Sequence, residues 1–562
     1  MRRARSPRGR LFGANRPSAG EGSYPRRLVI GRVLLVAILV VAGLRLIDVQ
    51  GLQADKLAAQ AERQRLTKVE IPAERGSITD RNGTKLAFSV ESRALSVHPK
   101  RLRQDWTEAA VKHAAGGVDF DEHTQRIADY LGQKLGDAVD PAQLLQALRS
   151  DKTFVYLDEN VRPAVADDII TRFPDIESED RAAREYPSGD VASNIVGYAN
   201  WRKNQVPPGT HGLLGLESSL DSLLAGKPGE ELVDTQAGDN QVVIPGTERS
   251  VRAARSGSDV QLTIDTDVQD QVQRMLGDYA KRSGAKDGSA VVLDARTGEV
   301  YALANDVSFD PNDPNGLDHG HLGNPAITTP YEPGSVNKVV TAAAAIEYGI
   351  EKPDSSVGIP PTLQVADRTI HDAWSHGPMT MSATGVFAKS SNIGTLRIAQ
   401  KVGPDRYAGM LRRMGIGQRT GIGLPGESPG FVPARKDWSG STFGNLPIGQ
   451  GLSMTVLQMA SMYQAIANKG VRVPPRIIKA EIGPGGHRHS QPRPQGVRVV
   501  SEKTAHTVLD MFRSVTQDQP NLQTGTAPEA ALPGYQISCK TGTGQKIDPA
   551  TGTYSSSKYT IT

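Results

Sequence analysis

A serine hydroxyl is a weak nucleophile at neutral pH until a base takes its proton. A lysine three residues later on a helix shares its face and can reach it. Ser-x-x-Lys occurs three times in this chain, at Ser283/Lys286, Ser335/Lys338 and Ser555/Lys558. Ser283-Gly284-Ala285-Lys286 spans a glycine in a polar stretch, and Ser555-Ser556-Ser557-Lys558 reads as a serine-rich turn. Ser335 alone follows a breaker, Glu332-Pro333-Gly334, and opens a strong helix-forming run over 336–347. At a helix N-terminus the free N–H groups and the positive end of the dipole favour a developing oxyanion. An ordinary N-cap serine is the bland alternative, because serine is a preferred cap.

Two later motifs decide against that alternative. Ser390-Ser391-Asn392 supplies Ser-x-Asn about fifty-five residues on, although Ser335-Val336-Asn337 fits the same loose pattern. Lys540-Thr541-Gly542, followed by Thr543, supplies Lys-Thr-Gly about 150 residues later still. That order is the one active-site-serine, penicillin-recognising enzymes use. His371 and His376, in His-Asp-Ala-Trp-Ser-His, invite a metal reading, but two histidines lack the further ligands of a zinc site, so no metal and no cofactor are expected.

These side chains need a scaffold, and the chain is long enough for several units at 562 residues. The single cysteine, Cys539, excludes an internal disulfide or a cysteine metal cluster. Charge is uneven. Residues 1–27 carry eight arginines against Glu21, a net +7, which leaves the remainder at −3 and excludes a basic nucleic-acid-binding body. The apolar stretch 28–49 can cross about 30 Å of hydrocarbon, with Arg32 and Arg45 near its ends to snorkel. No small-x-small cleavage site follows at the expected distance, so a retained anchor with a cytoplasmic N-terminus is expected. A helical stalk is expected over 50–66. Asn82-Gly83 marks a hairpin turn, and helical patches follow at 106–135 and 140–149. After a boundary near 256, a strand at 260–264, a helix at 267–280 and a hairpin of 289–294 with 299–304 open the catalytic region. The segment 456–469, with methionines and alanines at helical spacing, reads as core.

Ser335-Val336-Asn337-Lys338, Ser390-Ser391-Asn392 and Lys540-Thr541-Gly542-Thr543 resemble the three motifs of penicillin-binding transpeptidases. Arg75-Gly76-Ser77-Ile78-Thr79-Asp80-Arg81-Asn82-Gly83 resembles the opening signature of class B members, and Tyr186-Pro187, Gly215-Leu216-Glu217 and the stretch 420–427 are also similar, the last to cell-division types. The resemblance implies an α+β chain: a basic tail (1–27), a transmembrane anchor (28–49), a stalk and elongated pedestal (50–256), and a penicillin-binding transpeptidase fold (257–562) with an antiparallel sheet sandwiched by helices. It implies that Ser335 is acylated by a stem peptide ending in D-alanyl-D-alanine, with Lys338 as base, Ser390 as proton relay and Asn392 holding Lys338 and the substrate amide. Lys540, Thr541 and Thr543 would bind the terminal carboxylate or its β-lactam mimic. Backbone N–H groups of Ser335 and Thr543 would form the oxyanion hole, and Gly542 would let the strand edge come close. The partners it implies are peptidoglycan stem peptides, β-lactam antibiotics, a membrane glycan-strand polymerase and division proteins. A β-lactamase is disfavoured because no Glu-x-x-x-Asn lies at a convincing place before Lys540. A membrane β-lactam sensor, or a scaffold with weak catalysis, is the alternative function. The resemblance further implies two strands and a helix beyond Thr562. The sheet is therefore expected to show a gap beside 289–294, and a chain ending at Thr562 to be less stable than a longer one.

Overall fold

The computed structural model describes residues 24–562 apart from 54, 58–65, 112–118, 137–138, 203–208, 237–238, 244–245, 314–321, 519–523 and 548–553. The chain divides into two compact units, one of 1–69 with 230–252, the other of 70–229 with 253–562.

In the first unit, helix α1 (Tyr24–Ile47) carries the apolar stretch. Residues Leu28–Gly51 have a mean hydropathy of 2.4, and the large apolar side chains from Leu28 to Ile47 are more than half exposed. At 1.5 Å per residue the helix is long enough to span a bilayer, and so much bare apolar surface is unstable in water. Arg45 turns to Asp48 at 2.6 Å, where the helix loosens into one wider turn over Asp48–Leu52. Most of the stalk lies outside the described residues. Leu66–Ile71, Gly229–Gln236, Asp239–Val243 and Arg249–Arg252 form a four-stranded sheet.

The second unit holds everything that follows. Strands β1 (Ile78–Thr79) and β2 (Lys85–Val97) are joined by the expected Asn82-Gly83 turn. Asp80 fixes that turn by accepting hydrogen bonds from the Asn82 and Thr84 amides at 2.7 and 2.9 Å. The patch expected at 106–135 takes in the end of a helix over Pro99–Val111 and a separate α2 (Phe120–Leu135), and α3 (Pro141–Leu148) fills the patch at 140–149; α2 and α3 are capped by Asp119 and Asp140. With β3 (Val155–Val161), α4 (Pro163–Arg172) and β4 (Ile176–Glu185) they bury a core around Leu95, Ile127, Leu131, Leu148 and Ile169. Strand β5 (Asp259–Leu262) pairs in parallel with β1, so a strand after position 256 shares a sheet with strands well before it.

Two of the signature residues, Arg75 and Glu217, join Arg184 of β4 in a buried ion network. Glu217 receives Arg75 and Arg184, each at 2.7 Å, and Arg75 also reaches Asp221 at 2.6 Å. The side chains of Arg75, Arg184 and Glu217 are at most 1% exposed. Removing one partner of such a buried pair typically costs about 3–5 kcal/mol, because a charge is left uncompensated. These residues hold the pedestal together and stand apart from the chemistry.

Helix α5 (Thr266–Ser283) packs on the hairpin of β6 (Ser289–Leu293) and β7 (Val300–Asn305), with Gln269 accepting the Leu303 amide at 2.8 Å. Helix α6 (Lys338–Glu347) is buried from Lys338 to Ala345. Around it pack α7 (Ala383–Ala388), α8 (Asn392–Val402), α9 (Pro404–Arg413), α10 (Val456–Ala467) and α11 (Glu502–Arg513). The run at 456–469 is core, as its spacing indicates. Strands β8 (Ile478–Ile482) and β9 (Arg488–Ser490) extend the β1–β5 sheet, while β10 (Thr543–Ile547) and β11 (Tyr554–Ile561) form a hairpin of their own. Among the described residues β6–β7 and β10–β11 are separate two-stranded sheets. A cavity of about 370 Å³ beside β6 is lined by Val291, Leu293, Val339, Tyr463, Phe512 and Ser538.

Candidate active site

Ser335 sits in a tight turn, Gly334–Asn337, that runs straight into α6. Gly334 makes the turn possible with φ +58, and a Cβ there would come within 2.6 Å of the Thr543 carbonyl. The start of the helix and the start of β10 therefore approach backbone to backbone. Asn337 points into the core, donating to Tyr407 Oη at 3.0 Å and to the Leu446 carbonyl at 2.8 Å. The Ser-x-Asn pattern at 335–337 is thereby structural.

Lys338 is fully buried. Its Nζ lies 2.6 Å from the Ser390 carbonyl, 2.7 Å from Asn392 Oδ1 and 3.2 Å from Ser390 Oγ. Burial, and then the positive charge of Lys540, push its pKa well below the ordinary lysine value, against a smaller opposing pull from Asp372. A neutral amine has two donors and one lone pair. The Ser390 carbonyl and the Asn392 amide oxygen can only accept, so they take both donors and leave the lone pair for a hydroxyl. That is the arrangement a general base needs.

Ser390 adopts φ +60, a left-handed conformation that costs a non-glycine residue about 1–2 kcal/mol. The strain turns its carbonyl and its hydroxyl together toward Lys338. Its Oγ also accepts from Lys540 Nζ at 2.9 Å, so one hydroxyl bridges the two amines. Asn392 donates from Nδ2 to the His371 carbonyl at 3.0 Å, which fixes the amide with its oxygen on Lys338.

Lys540 is 8% exposed, and burial brings its pKa down to about 8. It is held by the Thr541 carbonyl at 2.8 Å, and Thr541 Oγ1 lies 2.8 Å from Thr526 Oγ1. Lys540 and Thr541 precede β10, whose first residue is Thr543. Gly542 and Thr562 exchange both backbone hydrogen bonds, at 2.7 and 3.0 Å. In an antiparallel ladder the next residue, Thr543, therefore presents its N–H on the opposite edge, toward Gly334 and Ser335. A side chain at Gly542 would meet the Pro333 carbonyl and Val336, both at 3.0 Å. The close approach at Gly542 is thus to the turn that carries Ser335.

The other Ser-x-x-Lys pairs are elsewhere. Ser283 ends α5 and bonds back to the Tyr279 carbonyl at 2.8 Å. Ser555 lies within the span of β11, in the irregular stretch between the pairs Ile547 with Tyr554 and Gln545 with Tyr559, and its Oγ accepts the Lys558 amide at 3.1 Å, a turn-like contact that fits its serine-rich sequence. Sequence reasoning passes over Asp372, which sits between the two histidines' positions and bonds directly to the Ser391-Asn392 turn. It also misses a cavity of about 620 Å³ beside the residues following Thr543, lined by Tyr331, Glu332, Phe431, Gln545 and Tyr554. Glu332 binds the Gly451 amide and Tyr554 Oη there, at 2.9 and 3.0 Å, and burial raises its carboxyl above the usual range.

A pedestal followed by a serine at a helix start, a lysine one turn on, and a Ser-x-Asn turn shared with a second lysine defines a class of protein, and the chain matches it by family. Residues 288–562 match the penicillin binding protein transpeptidase domain and residues 70–262 the penicillin-binding protein dimerisation domain. The chain belongs to the penicillin-binding transpeptidase family. Among its relatives, penicillin-binding protein PbpB of Mycobacterium tuberculosis is 50% identical over 96% of this chain and 78% of its own length. Peptidoglycan D,D-transpeptidase FtsI of Escherichia coli K12 is 30% identical over 94% of this chain and 82% of its own. The crystal structure of penicillin binding protein 3 from Mycobacterium tuberculosis complexed with ampicillin superposes with a TM-score of 0.67 at 44% identity, covering 88% of this chain and 85% of the other.

Proposed function

We propose that this chain is a serine-type peptidoglycan D,D-transpeptidase of cell-wall synthesis, serving the septum, with Ser335 as its nucleophile. The observation that carries the reading is the Lys338 amine, fully buried and with both of its neutral-state donors engaged, one helical step from Ser335. Lys338 takes the Ser335 proton as Oγ attacks the penultimate D-alanine carbonyl. The oxyanion is held by the N–H groups of Ser335 and Thr543, and one such donor is worth about 3–4 kcal/mol. The Ser390 hydroxyl, bridging Lys338 and Lys540, passes the proton to the leaving D-alanine amine. Lys540, Thr541 and Thr543 hold the terminal carboxylate. The resulting ester is resolved by the amine of a second stem, with Lys338 now taking the acceptor's proton. A β-lactam enters by the same attack and leaves no departing amine, so the ester persists.

Helix α1 supports a single-pass anchor, with the arginine-rich tail inside and the rest of the chain outside the cytoplasmic membrane. A polytopic glycan polymerase and division proteins are the partners this reading implies, and the names of the relatives PbpB and FtsI support the septal role.

The test is turnover of a synthetic stem peptide ending in D-alanyl-D-alanine with a D-amino acid as acceptor. Wild-type protein should release D-alanine and form the exchanged peptide, and Ser335→Ala should do neither. Exchange that survives in Ser335→Ala would overturn the proposal.

A further inference from the structure

We propose that Asp372 is a positioning residue for acylation: its carboxylate clamps the strained Ser390-Ser391-Asn392 turn in the shape that engages both Lys338 donors and leaves its lone pair for a hydroxyl. The inference rests on the acyl-enzyme reading above.

Asp372 lies on the loop between the short strands Arg368–Ile370 and Met379–Ser382, and its side chain is fully buried. Oδ1 accepts the backbone amides of Asn392 and Ile393, at 2.6 and 3.0 Å. Oδ2 accepts Ser391 Oγ at 2.7 Å and faces His376 Nε2 at 3.2 Å. Every atom that Asp372 binds on the other chain segment thus belongs to the three residues directly after Ser390. These contacts matter because Ser390 holds a left-handed backbone that relaxes unless its surroundings over-determine it. If it relaxed, its carbonyl and hydroxyl would no longer face Lys338 together. The neighbouring His371 carbonyl completes the device by fixing the Asn392 amide, so the dipeptide His371-Asp372 sets both acceptors that occupy the Lys338 donors.

The carboxylate also carries a charge toward the site. The charged and titratable groups that face this cluster are Lys338 from α6, Lys540 from the segment ahead of β10, and His376 on Asp372's own loop, where His371 contributes its backbone carbonyl. The anion favours the ammonium form of Lys338, so removing it should let Lys338 lose its proton at lower pH.

The experiment measures binding and acylation separately, using the full chain and a fluorescent penicillin across a pH series. Asp372→Ala should lower the acylation rate constant thirtyfold or more while the initial binding constant stays within threefold. Asp372→Asn keeps one oxygen for the two backbone amides, so it should restore the rate to within about fivefold of wild type. Its acidic limb should lie at lower pH than that of wild type, which a merely structural cap would not produce. If Asp372→Ala does not fold, the limb of Asp372→Asn carries the test alone. An alanine variant that acylates within threefold of wild type, or an asparagine variant whose acidic limb coincides with wild type, overturns the proposal. Labelling that persists in Ser335→Ala would sink the acyl-enzyme reading, and this inference would fall with it.

Discussion

Two lysines that share one buried hydroxyl cannot both remain charged without cost, and the geometry says which gives way. Lys338 is the more deeply buried and has two carbonyl-type acceptors, which a neutral amine satisfies. In its proposed role Lys540 must stay cationic to hold a carboxylate. Both pKa values are pushed down by burial, that of Lys338 well below the ordinary value and that of Lys540 to about 8. Acylation needs Lys338 without its proton and Lys540 with one. The rate should therefore rise as Lys338 deprotonates and fall above about pH 8, as Lys540 loses its charge. Lys540→Arg should move the alkaline limb upward, because a guanidinium keeps its proton. The pH dependence of penicillin acylation measures both limbs, and a limb unmoved in Lys540→Arg would remove Lys540 from the role. Much of this was legible in the sequence, since Ser335, Lys338, Ser390, Asn392 and Lys540 announce themselves by type and order. The left-handed backbone of Ser390 was not legible, because nothing about a serine in a loop signals it.

At the scale of elements, the site depends on how closely the turn before α6 meets β10. Gly334 is the point of contact. Gly334→Ala would force a side chain onto a left-handed backbone, at about 1–2 kcal/mol, and drive it against the Thr543 carbonyl now 2.6 Å from its position. β10 would have to shift, taking the Thr543 N–H with it. We expect acylation to drop tenfold or more with folding retained, as measured by penicillin labelling alongside thermal denaturation. Labelling at the wild-type rate would show that β10 is not fixed by this contact. Elements announced by local chemistry were readable: the Asn82-Gly83 hairpin, α5 behind its Asp265 cap, and α6 behind Pro333-Gly334. Elements specified by distant partners were not. The pairs Ile547 with Tyr554 and Gln545 with Tyr559 hold β11 against β10 on either side of the serine-rich stretch, and nothing in that composition signals them. Asp372 looked like one member of a histidine-containing loop, and its role exists only because α8 begins against it.

At the scale of the whole chain, the cleft draws on segments some two hundred residues apart, which meet because α6 runs through the middle of the largest apolar core. The pedestal signature serves a different purpose, closing the buried Arg75, Arg184 and Glu217 network. Motif order marked out the candidate site, since it follows the chain even when contacts do not, but nothing in the sequence pointed to the buried network. It could not foretell that β5, past position 256, would join the sheet of β1 and β2, because strand pairing across such a distance leaves no local mark. The central claim, that one serine of the three Ser-x-x-Lys pairs is the nucleophile, is tested most directly by mapping the adduct. The full chain is reacted with a penicillin and digested, and the modified peptide is sequenced by mass spectrometry. The account predicts the penicilloyl mass on Ser335 alone, whereas an adduct on Ser283 or Ser555 would contradict it.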